Sequence, residues 1–120
     1  MLNLDTHILI YALDGTLLPR ERAALTEERW GISAIVLWEI AMLARYGKIA
    51  RGLDDPALGR VIERITVWPL DMAVCRQSVQ MDFRSDPADE LIAATSVVHQ
   101  VPLITRDRKM RRSKLLEIVR

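Results

Sequence analysis

The sequence predicts an α/β fold, a three-layer α/β/α sandwich around a central, mainly parallel sheet. Two observations carry that prediction. Apolar runs short enough for strands alternate with longer helix-patterned segments along the whole chain, the order expected of a parallel sheet with helices on both faces. The 120 residues contain no internal repeat, low-complexity tract or long linker, and a chain of that length buries one core rather than two. Residues 1–120 are therefore expected to form a single domain.

The elements follow in order. Leu2–Asp5 reads as a short strand and Thr6 to about Leu13 as a helix. The Asp14-Gly15-Thr16 turn and Pro19 then lead into a second helix that reaches about Glu28. Trp30–Ser33 is a strand, and the helix from Ala34 runs to about Tyr46, where Gly47 ends it. A helix over Pro56–Arg64 precedes a strand at Thr66–Pro69, and Asp71 caps a helix reaching about Phe83. Asp86 and Pro87 open a helix to about His99, because proline is tolerated in the first turn. Pro102–Thr105 is the next strand, and Leu116–Val119 is expected to be the last.

Half of the residues are hydrophobic and 28% are charged, the balance of a globular protein. The longest uncharged stretch, Leu91–Thr105, contains His99, Gln100 and Pro102 and does not suit a transmembrane helix. Asp5 stands where a signal peptide would carry Lys or Arg. Cys75 is the only cysteine, which excludes an intramolecular disulfide and a thiolate zinc cluster. A cytoplasmic protein with no membrane partner is the expectation. The net charge of +1 hides an asymmetry, since residues 106–120 hold seven basic and two acidic residues. A basic patch of this kind suits a polyanion, or simply a solvated helix face.

Function is sought among acids, because ligands of an open parallel sheet bind beyond the carboxyl ends of its strands. Asp5 ends the first strand there, although it would also serve as a helix N-cap. Glu39 is the one polar residue of the apolar helical stretch AIVLWEIAML, with Ile35, Val36, Met42 and Leu43 one turn away and no basic neighbour within a turn. A buried carboxylate so placed takes a proton, a cation or a distant arginine. In DPADELIAAT, Asp86 reads as N-cap and Asp89 as the acid of the first turn, while Asp89 shares a face with Ile92, Ala93 and Ser96. Asp107 follows the strand PLIT, flanked by Arg106 and Arg108 as alternative ion-pair partners. Four acids on one edge repel one another unless a cation neutralises them. An all-oxygen set selects a hard metal such as Mg²⁺ or Mn²⁺, which polarises phosphoryl oxygens and suits phosphodiester hydrolysis.

With LDTHILIYAL, Ser33 followed by LWEIA, DPADELIAATS and LITRD in that order, the chain resembles the PIN-domain ribonucleases, and within them the VapC-type toxins of toxin–antitoxin pairs. The resemblance covers nearly the whole chain. It implies a PIN-like fold and an Mg²⁺- or Mn²⁺-dependent endoribonuclease, held inactive by a cognate antitoxin and forming a homodimer. It maps the family's catalytic and metal-binding acids onto Asp5, Glu39, Asp89 and Asp107, with Asp86 as a further metal ligand. It also places Thr6, Ser33 and Thr105 at hydroxyl positions that hold water or the acids. Arg106, Arg108, Lys109, Arg111 and Arg112 are expected to attract the RNA backbone without reading sequence.

Two other functions fit less of the chain. A non-catalytic α/β regulatory module would explain the strand-end aspartates but not Glu39. LDGTLLPR imitates the haloacid-dehalogenase-like phosphatases, yet Ala12 occupies the position of their nucleophilic aspartate. His7, His99 and Cys75 lack ligand spacing and are expected to be structural. Trp30, Trp38 and Trp68 are expected in core or interface packing.

Overall fold

A computed structural model describes all residues, Met1–Arg120. Its strands are β1 (Leu2–Leu4), β2 (Trp30–Ser33), β3 (Thr66–Trp68) and β4 (Leu103–Ile104), and its helices are α1 (Thr6–Asp14), α2 (Pro19–Glu27), α3 (Ala34–Arg45), α4 (Pro56–Ile62), α5 (Met72–Ser78), α6 (Pro87–His99) and α7 (Arg108–Arg111). The strands form one sheet in the order β3-β2-β1-β4, and every pairing is parallel. The α/β/α arrangement read from the sequence is thus the observed one.

Strand order matters for function. From β1 the chain steps to β2 and β3 on one side, then crosses back to place β4 on the other. The crevice between β1 and β4 is the switch point at which open parallel sheets bind ligands. Asp5 immediately follows β1, and Asp107 lies three residues beyond β4.

Helix starts are set by side-chain caps. Ser33, Asp55, Asp71, Asp86 and Asp107 each accept a backbone N–H from the first turn of the following helix. Gly15 and Gly47, at φ 73° and 69°, close α1 and follow α3 in a left-handed conformation that glycine adopts without strain. The core contains Leu4, Ile8, Leu9, Ile32, Ile92, Leu103 and Ile104, all essentially inaccessible. Gly31 has a packing reason to lack a side chain, because a Cβ there would collide with the Trp68 ring. That ring stacks on His99 with centroids 5.2 Å apart.

Two expectations differ from the structure. Helix α5 stops at Ser78 rather than near Phe83, because Met81 turns into the core and Asp82 accepts from Ser113 Oγ and Lys114 N. Those tertiary contacts override a helical pattern. Leu116–Val119 makes no full strand; Ile118 forms a single parallel bridge with Leu103. The basic stretch before it coils into the short α7, capped by Asp107.

Candidate active site

Five carboxylates from four segments line one open cavity of about 350 Å³ at the carboxyl edge of the sheet: Asp5, Glu39, Asp86, Asp89 and Asp107. Each is positioned by its element. Asp5 is 8% exposed. One of its oxygens accepts from Thr6 N at 2.8 Å and the other from Thr105 Oγ1 at 2.5 Å. Asp5 therefore caps α1 and lines the cavity at once. Burial raises its pKa; the bonds from Thr105 and Thr6 oppose that rise, and nearby Asp107 adds to it.

Glu39 projects from the middle of α3 and is half-buried. Its Oε1 accepts from Thr6 Oγ1. Burial pushes its pKa up to about 7 against that hydrogen bond, and the charges of Asp5, Asp89 and Asp86 push further in the same direction. No arginine pairs with it.

Helix α6 supplies the other pair. Asp86 is the N-cap, its Oδ1 accepting from Asp89 N at 3.0 Å, and it is exposed. Asp89 accepts from Ser85 Oγ at 2.7 Å. Burial lifts the Asp89 pKa to about 6, the Ser85 bond opposes it, and Asp86, Asp5 and Asp107 add their charge. Asp107 caps α7 through Met110 N, while its own N–H donates to Thr105 Oγ1. Thr105 thus ties Asp5 to Asp107 across the switch point.

The donor set fits a hard divalent cation. One carboxylate oxygen from each of Glu39, Asp86 and Asp89 lies within 4.8 Å of the others. The charge of Asp86 adds to the rise in the pKa of both Glu39 and Asp89, and a cation would offset it. The only arginine on the cavity wall is engaged elsewhere: Arg106 donates Nε and Nη2 to the buried Glu21 at 2.8 and 2.7 Å. All ligands being oxygen, the set suits Mg²⁺ or Mn²⁺. Asp86 and Asp89 both belong to it, and Asp86 is at the same time the N-cap of α6.

The remaining candidates separate. Thr6 and Thr105 orient Glu39 and Asp5, whereas the Ser33 hydroxyl caps α3 at Ile35 N and bonds no acid. Arg106 lies over the Tyr11 ring, 4.1 Å from its centroid, with Nη1 making no hydrogen bond inside the protein. Arg111 is half-buried and donates to the carbonyls of Thr105 and Val119, pinning the last segment. Lys109 Nζ bonds Arg84 O, while Arg108 and Arg112 extend into solvent.

Sequence reasoning missed Glu21, Ser85, His7 and Tyr11. Ser85 stands four residues before Asp89, which was a usable signal. Glu21 offered none, since its partner is 85 residues away. His7, expected to be structural, is exposed and lines the acidic cavity beside Tyr11. Trp30 and Trp68 pack as expected, but Trp38 is 55% exposed.

Residues 3–115 match the PIN domain family. The chain is 31% identical over 83 residues to Ribonuclease VapC22 of Mycobacterium tuberculosis, a stretch covering 67% of this chain and 64% of that protein. Among solved structures, VapBC2 from Rickettsia felis, bound to a DNA fragment from its promoter, superposes with a TM-score of 0.75 at 18% identity, covering 98% of this chain and 97% of that one. FitAcB from Neisseria gonorrhoeae gives 0.73 at 22% identity, covering 100% and 97%. At these identities the two structures speak for the fold alone.

Proposed function

The chain belongs to the PIN-domain family, and from that premise we propose that it is a metal-dependent endoribonuclease, the toxin half of a type II toxin–antitoxin pair. The observation that carries the reading is the convergence of Asp5, Glu39, Asp86, Asp89 and Asp107 on one cavity at the switch point of the sheet. The ribonuclease relative supports RNA as substrate, and its VapC name, together with the VapC-type toxin resemblance of the sequence, supports a cognate antitoxin as partner. Self-association follows from the same VapC-type resemblance.

Glu39, Asp86 and Asp89 would hold the cation, with Asp5 and Asp107 facing it from the strand ends. Bound there, Mg²⁺ or Mn²⁺ supplies a lowered pKa for the attacking water and positive charge against the phosphate. The protein contributes position. Thr6 fixes the Glu39 carboxylate, Thr105 fixes Asp5 relative to Asp107, and Ser85 fixes Asp89. Hydrogen bonds of this kind keep a site in its productive geometry without reorganisation. Arg106, braced by Glu21 and Tyr11, offers its free Nη1 to an RNA phosphate at the cavity wall. Arg108 and Arg112 add sequence-independent attraction.

The test is cleavage of an end-labelled single-stranded RNA with Mg²⁺, with Mn²⁺ and with EDTA. Wild type should yield internal cuts only with metal. Asp5→Asn and Asp89→Asn should lose cleavage while keeping the wild-type circular-dichroism spectrum. Cleavage that survives EDTA, or folded Asp5→Asn protein that cuts at the wild-type rate, contradicts the proposal.

A further inference from the structure

On the far side of Glu39 and Asp86 lies a second cavity, of about 490 Å³, whose walls are largely apolar: Ile35 and Trp38 from α3, Pro87 and Leu91 from α6. Glu39 and Asp86 line both cavities, so the apolar pocket opens beside the acids. Trp38 stands 55% exposed and takes no part in the core, unlike Leu37 and Leu43 on the same helix. No basic residue lines the pocket, so it does not suit a phosphate. Its acids are acceptors when ionised, and Asp86 Oδ2 carries no protein hydrogen bond.

We propose that this pocket is a nucleobase subsite, in which a base flanking the scissile phosphate leaves the RNA stack and lies against the Trp38 ring. The inference rests on the ribonuclease reading and adds to it where the substrate sits. A nucleobase is the flat, weakly polar part of RNA, and single-stranded RNA is commonly held by stacking on aromatic side chains. With a phosphate in the acidic cavity, continuity through Glu39 and Asp86 puts a neighbouring base within reach of the apolar wall. Trp38 is thereby a substrate-positioning residue, separate from the acids.

Two measurements on the full chain test this. In cleavage of a mixed-sequence single-stranded RNA with Mg²⁺, Trp38→Ala should raise KM about tenfold, the lower part of the range for one base stacked on an aromatic ring. The same variant should leave kcat near wild type, and Trp38→Phe should restore most of the loss. In the Asp5→Asn background, which keeps RNA intact, the RNA should quench tryptophan fluorescence. An oligomer of abasic nucleotides should quench it far less, and Trp38→Phe should remove the quench.

Wild-type cleavage with an unchanged KM in Trp38→Ala overturns the subsite and leaves the nuclease standing. Base-dependent quenching, if the wild type cleaves no RNA, keeps a base site in the apolar pocket and overturns the nuclease, and with it the placement of that base beside a scissile phosphate. Met42 and Tyr46 continue the apolar face of α3. If sedimentation shows that Trp38→Ala turns a dimer into a monomer while RNA quenches nothing, a second copy of the chain covers this face and the subsite is overturned.

Discussion

Glu39 sits where α3 turns an otherwise apolar face toward the acids of β1 and α6, and its carboxylate has a threonine hydroxyl but no cation beside it. Burial and neighbouring charge hold its pKa near 7 against an ordinary 4.5. Between those values the folded chain binds more protons than the unfolded one, so stability is lost as pH rises through that window. Glu39→Gln keeps the shape and the hydrogen bond and removes the charge. In EDTA at pH 8 it should be more stable than wild type by about 1–2 kcal/mol, a figure reduced from the full shift because Glu39 is only half-buried. It should also gain less from added Mg²⁺, and urea melts of both proteins with EDTA and with Mg²⁺ check the pair of outcomes. Single residues of this kind were legible in the sequence. An acid alone in an apolar helix, or at the end of an apolar strand, conflicts with burial unless chemistry requires it. Glu21 was not legible, because only the folded chain brings Arg106 near it, whereas Ser85, four residues before its partner Asp89, offered a signal that went unread.

Among the elements, α2 and the end of β4 are joined by one interaction. Arg106 reaches across to Glu21, which is 1% exposed, and no other cation bonds that carboxylate. Removing the cation strands a buried charge, which costs more than the intact pair contributes. Arg106→Met should destabilise the protein by about 2–3 kcal/mol, reduced because the arginine itself is partly exposed. Adding Glu21→Met should recover most of that loss, and a double-mutant cycle in urea measures it. A flat response to Arg106→Met would mean that Glu21 has another partner in solution. The elements themselves were largely readable, since Asp71 and Asp86 mark helix starts and the strands are short apolar runs, although the short α7 that Asp107 caps was not foreseen. Where the reading went astray, tertiary contacts decided the outcome. Met81 and Asp82 end α5 by burial and by bonds to Ser113 and Lys114, and the final segment keeps only one bridge to Leu103, to which Arg111 adds a bond at Val119 O.

The whole molecule presents an acidic cavity beside a basic segment, under a net charge of +1. The parallel sheet explains the convergence, since acids distant in sequence meet because every strand ends on the same edge. That much followed from alternation of strands and helices; the order β3-β2-β1-β4 did not, because periodicity carries no information on which strands are neighbours. Reversing Arg108 and Arg112 to Glu should weaken RNA binding and reduce the slope of log K against log salt by about 2, near one per lost phosphate contact. An unchanged slope would assign these arginines to another role. The central claim is that the five acids form a cation site, and its most direct test is the melting temperature of the wild-type chain at pH 5.5 and pH 8, in EDTA and in Mg²⁺. Asp5, Glu39 and Asp89 all have raised pKa values, with Asp89 near 6 and Glu39 near 7. Without metal the protein should therefore melt several degrees lower at pH 8 than at pH 5.5. At pH 8, Mg²⁺ at a hundredfold excess over its dissociation constant should restore about 2.7 kcal/mol, whereas at pH 5.5 it should do less. A melting temperature that is equal at both pH values in EDTA and unmoved by Mg²⁺ would contradict the account.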